Sequence, residues 1–267
     1  MKLRGGRVAL GGVQLDELDP SIVIRSIDPG TPQENVTTAN RMGGAGLRIT
    51  GEHWNTLEVT VTYAIDIPKT RLQERRRVFD LVNEWAKAGQ WLTISWMKGR
   101  RMYVDKTVYP SSGFLWDWTA EFTLVFRSYN VPFWRDSSAA NATGKSAKSG
   151  TVQIEMGGSV RSVVALTFEN KSGKQIDNFA VTVKRGSVTT ATMTLTNMAL
   201  GGSDSLVIDH RADGTLRIRK KSGSAYTSIY DKFTGSDDLW ADPGEVTVTY
   251  DTDRAGVLTV TGVGRYV

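Results

Sequence analysis

The sequence predicts a mainly β chain with one long helix: an N-terminal antiparallel sheet packed with an α-helix, then a C-terminal β-sandwich. Three observations lead there. Apolar and polar residues alternate strictly from Leu57 to Ile67, the period-two signature of a half-buried strand. A single stretch of 3.6 periodicity follows it, after Pro68. Beyond residue 150 the chain breaks into short apolar runs, with turn residues about every eight to twelve positions.

Residues 1–50 are rich in glycine and turn formers and read as an irregular arm. It carries short strands at Val8–Val13 and Ser21–Arg25, separated by Asp19-Pro20, and an extended or turning segment at Asp28–Pro32. Thr70 and Gln73 have the spacing of a capping box, and Leu72, Arg75, Phe79, Val82 and Ala86, with Val78 and Trp85 beside them, mark one apolar face. With Gly89 as the closing residue, this predicts one helix of about 18 residues. Strands follow at Trp91–Trp96 and Arg101–Asp105, around the turn Lys98-Gly99-Arg100, and then at Trp116–Arg127.

From Ser137 to Gly150 no large apolar side chain occurs, which predicts a flexible linker. The expected domains are therefore an N-terminal α+β domain over 1–135, a linker over 136–150 and a C-terminal β-sandwich over 151–267. In the sandwich, strands are expected at Val163–Phe168, Ile176–Val183, Ala191–Leu195, Ser205–Asp209, Thr215–Arg219, Glu245–Tyr250 and Val257–Val263.

Composition narrows the function. There is no cysteine, so disulfides and thiolate metal sites are excluded. The two histidines, His53 and His210, lie far apart in sequence. The net charge of +5 comes from 33 basic residues interspersed with 28 acidic ones rather than gathered in an arm, a solvated surface more than a nucleic-acid footprint. No apolar run suits a signal peptide or a membrane helix, and a soluble protein made in a cytoplasm is expected.

No constellation points to catalysis, a cofactor or a metal, and a non-enzymatic protein is expected. Asp237-Asp238 reads as a solvated turn, His210 as part of a turn-facing polar cluster, and Gly43–Gly46 lacks the Lys-Ser/Thr that a phosphate loop requires. The aromatics say more. Trp91, Trp96, Trp116, Trp118, Phe133 and Trp134 crowd the first domain, and on Trp91–Trp96 both strand faces carry a tryptophan. A sheet apolar on both faces wants a helix on one side and another subunit on the other. Arg75, Arg76, Trp91, Trp96 and Trp116 are the candidate subunit contacts, with Asp66, Glu84 and Glu121 as partners for the arginines. Trp240, beside a Pro-Gly turn, is either a core plug or a sugar-stacking platform.

Arg71, Leu72, Leu81 and Trp85 on the helix, then Arg101–Val104, Phe122–Phe126 and Pro132-Phe133-Trp134, together resemble the N-terminal ring domain of siphophage distal tail proteins. Asp204–Asp209, Leu239–Gly244 and the closing run Gly256–Val267 are similar to that family's galectin-like C-terminal sandwich. A departure is Lys220–Tyr226, a longer excursion than the family's short hairpin after this strand. The resemblance implies a hexameric ring at the tail tip, joining the tail-tube protein to the tail hub. It further implies sandwiches facing receptor-binding or baseplate partners, DNA met only as it passes the channel, no membrane, and a virion location after assembly in the host cytoplasm. The alternative is a carbohydrate-binding or adhesion module of a phage or bacterial surface assembly.

Overall fold

The computed structural model describes residues 6–32, 34–40, 47–116 and 120–267. The chain divides into two compact units, Met1–Trp134 with Val267, and Arg135–Tyr266. Among the described residues no helix is long and apolar enough to cross a membrane.

The first unit starts with a hairpin of β1 (Val8–Leu10) and β2 (Val13–Gln14). Its turn, Gly11-Gly12, has φ of +60° and +88°, which only glycine adopts without strain. After β3 (Ile22–Asp28) come β4 (Glu34–Asn40) and β5 (Leu47–Trp54), which pair with each other, and then β6 (Leu57–Ile65). The expected irregular arm is thus largely strand. Its sequence is β-branched (Val36, Thr37, Thr38, Ile49, Thr50) but lacks clean alternation, so periodicity did not reveal it.

Helix α1 spans Leu72–Trp85, 14 residues, shorter than expected. The capping box does not form: Arg71 N–H donates to Pro68 O at 2.9 Å, so Thr70 sits inside a turn and Arg71 takes the N-cap position without a side-chain cap. At the other end Ala86 closes the helix by donating to Val82 O. Gly89, with φ +85°, donates to Val104 O at 2.8 Å and begins the return into the sheet instead.

Two sheets complete this unit. In one, the order is β3-β6-β10-β9, with β9 at Lys106–Val108 and β10 at Glu121–Ser128. Leu57, Val59, Val61 and Tyr63 of β6 and Phe122, Leu124 and Phe126 of β10 are all buried, as the alternation requires. Helix α1 lays Phe79 on Phe122 at 5.0 Å and Trp85 edge-on to Phe126 at 6.0 Å. Burying such a ring contributes roughly 2–3 kcal/mol. In the other sheet β7 (Trp91–Ile94) lies between β1 and β8 (Arg100–Tyr103), burying Val8, Leu10, Leu92, Ile94 and Met102. The expected strand Trp116–Arg127 is realised only from Glu121; Trp118 lies outside the described residues.

The chain passes into the second unit on β11 (Trp134–Asp136). The expected linker is absent. Its residues fall in β12 (Ala140–Thr143) and the start of β13 (Ala147–Met156), both paired to one long strand. The absence of large apolar side chains misled because these are edge positions. They are held by ladder hydrogen bonds, and Gly150 is small because a Cβ there would come within 2.9 Å of the Tyr250 ring.

The remaining strands are β14 (Ser162–Asn170), β15 (Phe179–Arg185), β16 (Val188–Leu195), β17 (Ser205–His210), β18 (Leu216–Ser222), β19 (Ala225–Ser228), β20 (Phe233–Gly235), β21 (Trp240–Ala241), β22 (Gly244–Gly262) and β23 (Arg265–Tyr266). The two strands expected at 245–250 and 257–263 are one, the 19-residue β22. Its first part pairs with β13 and β15, its last part with β12 and β14, so it runs through the whole sandwich. The polar stretch Asp251–Arg254, which resembles a turn in sequence, serves its neighbours. Asp253 accepts from the backbone N–H groups of Asp177 (3.0 Å) and Asn178 (2.7 Å), and Thr252 donates to Lys148 O at 3.0 Å. Between the layers lie Phe168, Phe179, Tyr250, Leu166, Ile208 and Val260, with Phe168 and Phe179 rings 5.2 Å apart.

Candidate interaction surfaces

Consecutive arginines on α1 meet different fates. Arg75 is 2% exposed; its Nε donates to Ile67 O at 2.5 Å and its NH1 to Leu115 O at 2.9 Å. It ties the helix to the turn after β6 and to the 3-10 turn Ser112–Trp116, so it is an internal clamp and not a subunit contact. The helical spacing that places it among Leu72, Val78, Phe79 and Val82 already put it on the buried face. Arg77 pairs with Asp19 at 2.6 Å, whose carboxyl is held low chiefly by the Ser21 hydroxyl. Glu121 pairs with Arg25 and Glu84 with Lys87. The charge pairs expected across subunits are therefore largely used within one chain.

Arg76 remains exposed. With Leu72, Phe79, Asp80, Ser112, Leu115 and Trp116 it lines a groove of about 390 Å³. Trp116 is 70% exposed, far beyond any other tryptophan among the described residues. The fold thus brings together two of the five contact candidates, an arginine and a tryptophan, the residue types that dominate binding energy at interfaces.

Trp91 and Trp96 lie elsewhere. Trp91 is half-buried on the outer face of β7, edge-on to Tyr103 at 5.3 Å and 4.1 Å beneath the Arg101 guanidinium. Trp96 follows the strand in a turn and covers Gly6, where a Cβ would lie 1.6 Å from its ring. The four-stranded sheet is not apolar on both sides. Its outer face carries Glu58, Thr60, Thr62, Thr123 and Arg127, with an Arg127–Glu58 pair at 2.7 Å. The sheet with a mixed aromatic outer face is the one built on β7 and β8.

In the second unit Trp240 is half-buried on the core, and its Nε1 donates to Asp237 at 3.0 Å. The Arg265 guanidinium stands 5.9 Å from its ring; burial pulls that guanidinium below its usual range and the Asp238 carboxylate draws it back up. Asp237 is exposed in a bend, as a solvated turn requires, but Asp238 is drawn inward. His210 Nε2 donates to both Asp238 oxygens, at 2.8 and 3.0 Å, with the two side chains 12% and 13% exposed. The pair ties the end of β17 to the approach to β21. Twenty-eight residues separate its members, a distance over which no sequence motif signals contact. Among the described residues no three His, Cys, Asp or Glu side chains gather as a metal site would need.

No protein-family model matches the sequence, and no curated protein matches it. Among solved structures the chain is similar to the crystal structure of SPP1 Dit, a distal tail protein described as a paradigm of the hub adsorption apparatus in phages infecting Gram-positive hosts. The TM-score is 0.64 at 11% identity, over 97% of this chain and 99% of that one. The fold is that of a phage distal tail protein. Two structures of the activated phage P2 baseplate, with Ca and with Sr, are weaker likenesses, at TM-scores of 0.47 and 0.46 and identities of 7% and 6%. At 11% identity the fold is shared with the distal tail protein while side chains have diverged, and a fold does not by itself carry a function.

Proposed function

We propose that this chain is a structural, non-catalytic protein of a phage tail tip. Its first unit closes into a hexameric ring between the tail-tube protein and the tail hub, and its second unit faces receptor-binding or baseplate partners. DNA meets it only in passing through the ring channel, and the protein ends in the virion after assembly in the host cytoplasm. The observation that carries this reading is the likeness to the distal tail protein across nearly the full length of both chains, which includes both units and their order.

Two local features support assembly. The β4–β5 hairpin joins no other strand among the described residues, and a two-stranded hairpin alone is marginally stable in water. Trp116 and Arg76 offer an exposed anchor on the same unit. A ring needs such a heterologous contact, one patch meeting a different patch of the next copy through a rotation that closes. The adhesion alternative rests on Trp240, whose indole packs on the core and is held by Asp237, so nothing favours it over the ring.

Size-exclusion chromatography with light scattering tests the reading. A species several times the monomer mass, alone or on mixing with tail-tube and hub proteins, is expected. A monomer that joins neither protein at high concentration contradicts it.

A further inference from the structure

We propose that the free edge of the second unit's sheet, strand β19, docks an extended acidic segment of another protein. This surface lies outside the features that support the ring, and it stands or falls separately.

Lys220–Tyr226 is not a longer excursion. Ser222 pairs with Ala225 across Gly223-Ser224, and Gly223 has φ +57°, as the first position of a type II′ hairpin turn requires. The result is a tight hairpin whose outer strand, β19, is exposed at all four residues. The sheet order ends there: beyond β18, β19 pairs with no strand among the described residues. Its outward N–H and C=O groups form a template that only another extended backbone satisfies in full.

The neighbouring strand decides what that backbone carries. Ile208 and Ile218 face each other in the core, so Arg217, Arg219 and Lys221 project together from the opposite face. Tyr226, 49% exposed, stands across from Lys221 on this face, with the Arg219 guanidinium 4.3 Å from its ring. Asp209 binds Arg217 (2.9 and 2.8 Å) and Arg219 (2.7 Å), and no other carboxylate pairs with this group among the described residues. On the other face Lys220 reaches Ala199 O at 3.1 Å. Four cations against one carboxylate leave positive charge on both faces beside the open edge.

Basic residues at an edge repel a second identical edge, which guards against self-pairing. The same charges attract a strand bearing Glu or Asp, and Tyr226 supplies a flat apolar contact for an intervening side chain. An anionic polysaccharide would answer the charge but leave the backbone groups unpaired, so the edge geometry favours a peptide.

The test uses the full chain and fluorescein-labelled synthetic peptides. One alternates Glu and Val, one alternates Lys and Val, and one is the Glu–Val peptide methylated at alternate backbone nitrogens; heparin serves as a polyanion without a strand-forming backbone. Anisotropy is expected to show saturable binding of the Glu–Val peptide alone, weakened about tenfold or more by Lys220→Glu with Lys221→Glu. Amide exchange at residues 225–228 is expected to slow on binding. Equal binding of the methylated peptide or heparin with unchanged exchange at β19, indifference to the double charge reversal, or no binding of the Glu–Val peptide would each overturn the proposal.

Discussion

Two stretches of this chain, residues 34–54 and 137–150, lack a clean apolar alternation, and both contribute strands, with different partners. The second lies along β22, a strand fixed on both sides, so its ladder hydrogen bonds rest on a built core. Among the described residues the strands of the first pair only with each other, anchored at their base by Trp54 against Phe133 at 5.3 Å and by Asn35 bonded to Asn55. Backbone pairing, not side-chain burial, separates an edge strand from a tether. By the same logic, a hairpin without a sheet is a surface awaiting one.

The largest effect expected follows from removing that hairpin. Replacing residues 36–52 with a short Gly-Ser turn should abolish the oligomer while shifting the melting temperature by less than about 3 °C. Loss of folding would show that the hairpin belongs to the unit's own core instead. Next come the paired arginines. Arg75→Ala should cost about 3 kcal/mol in denaturant unfolding, because two buried carbonyls lose a charged donor. Arg76→Ala should cost less than about 0.5 kcal/mol yet weaken assembly, as should Trp116→Ala. Equal stability losses for Arg75 and Arg76 would erase the distinction between clamp and contact.

On the other side of the comparison, Gly150→Val should destabilise the second unit by about 1–3 kcal/mol, since the new side chain meets the Tyr250 ring. A tether would tolerate it without change. The smallest effect belongs to Tyr63, whose buried hydroxyl finds no hydrogen-bond partner among the described residues. Tyr63→Phe should leave stability unchanged or raise it by about 1 kcal/mol. Burial pushes this phenol up from its ordinary 10.0. Its neutral form is thus favoured in the fold, and the stability it contributes is full below pH 10.0 and lost as pH rises toward the higher folded value. In alkaline unfolding the Phe variant should lose less stability than the parent.

Much of the fold was legible in the sequence, for reasons that also explain the gaps. The alternation in Leu57–Ile65 and the apolar helix face of Val78, Phe79, Val82 and Trp85 mark burial directly, and each is buried where the period placed it. Strands held by backbone ladders, such as Ala140–Thr143 and Glu34–Asn40, leave no such trace. Nor does β22 announce itself as one strand, because Asp253 spends its charge on two distant amides. Arg75 carries a surface-type charge at a position that the helical period assigns to the core, and the His210–Asp238 pair leaves no trace in the sequence because only tertiary structure joins it. Trp116 is the candidate that the fold leaves most open.

Averaged electron-microscope images of the purified full chain test the central claim most directly. The account predicts rings of six copies around a central channel, with density for the β4–β5 hairpin reaching the adjacent copy. Single particles of monomer size, at every concentration and also in the presence of tail-tube and hub proteins, would contradict it.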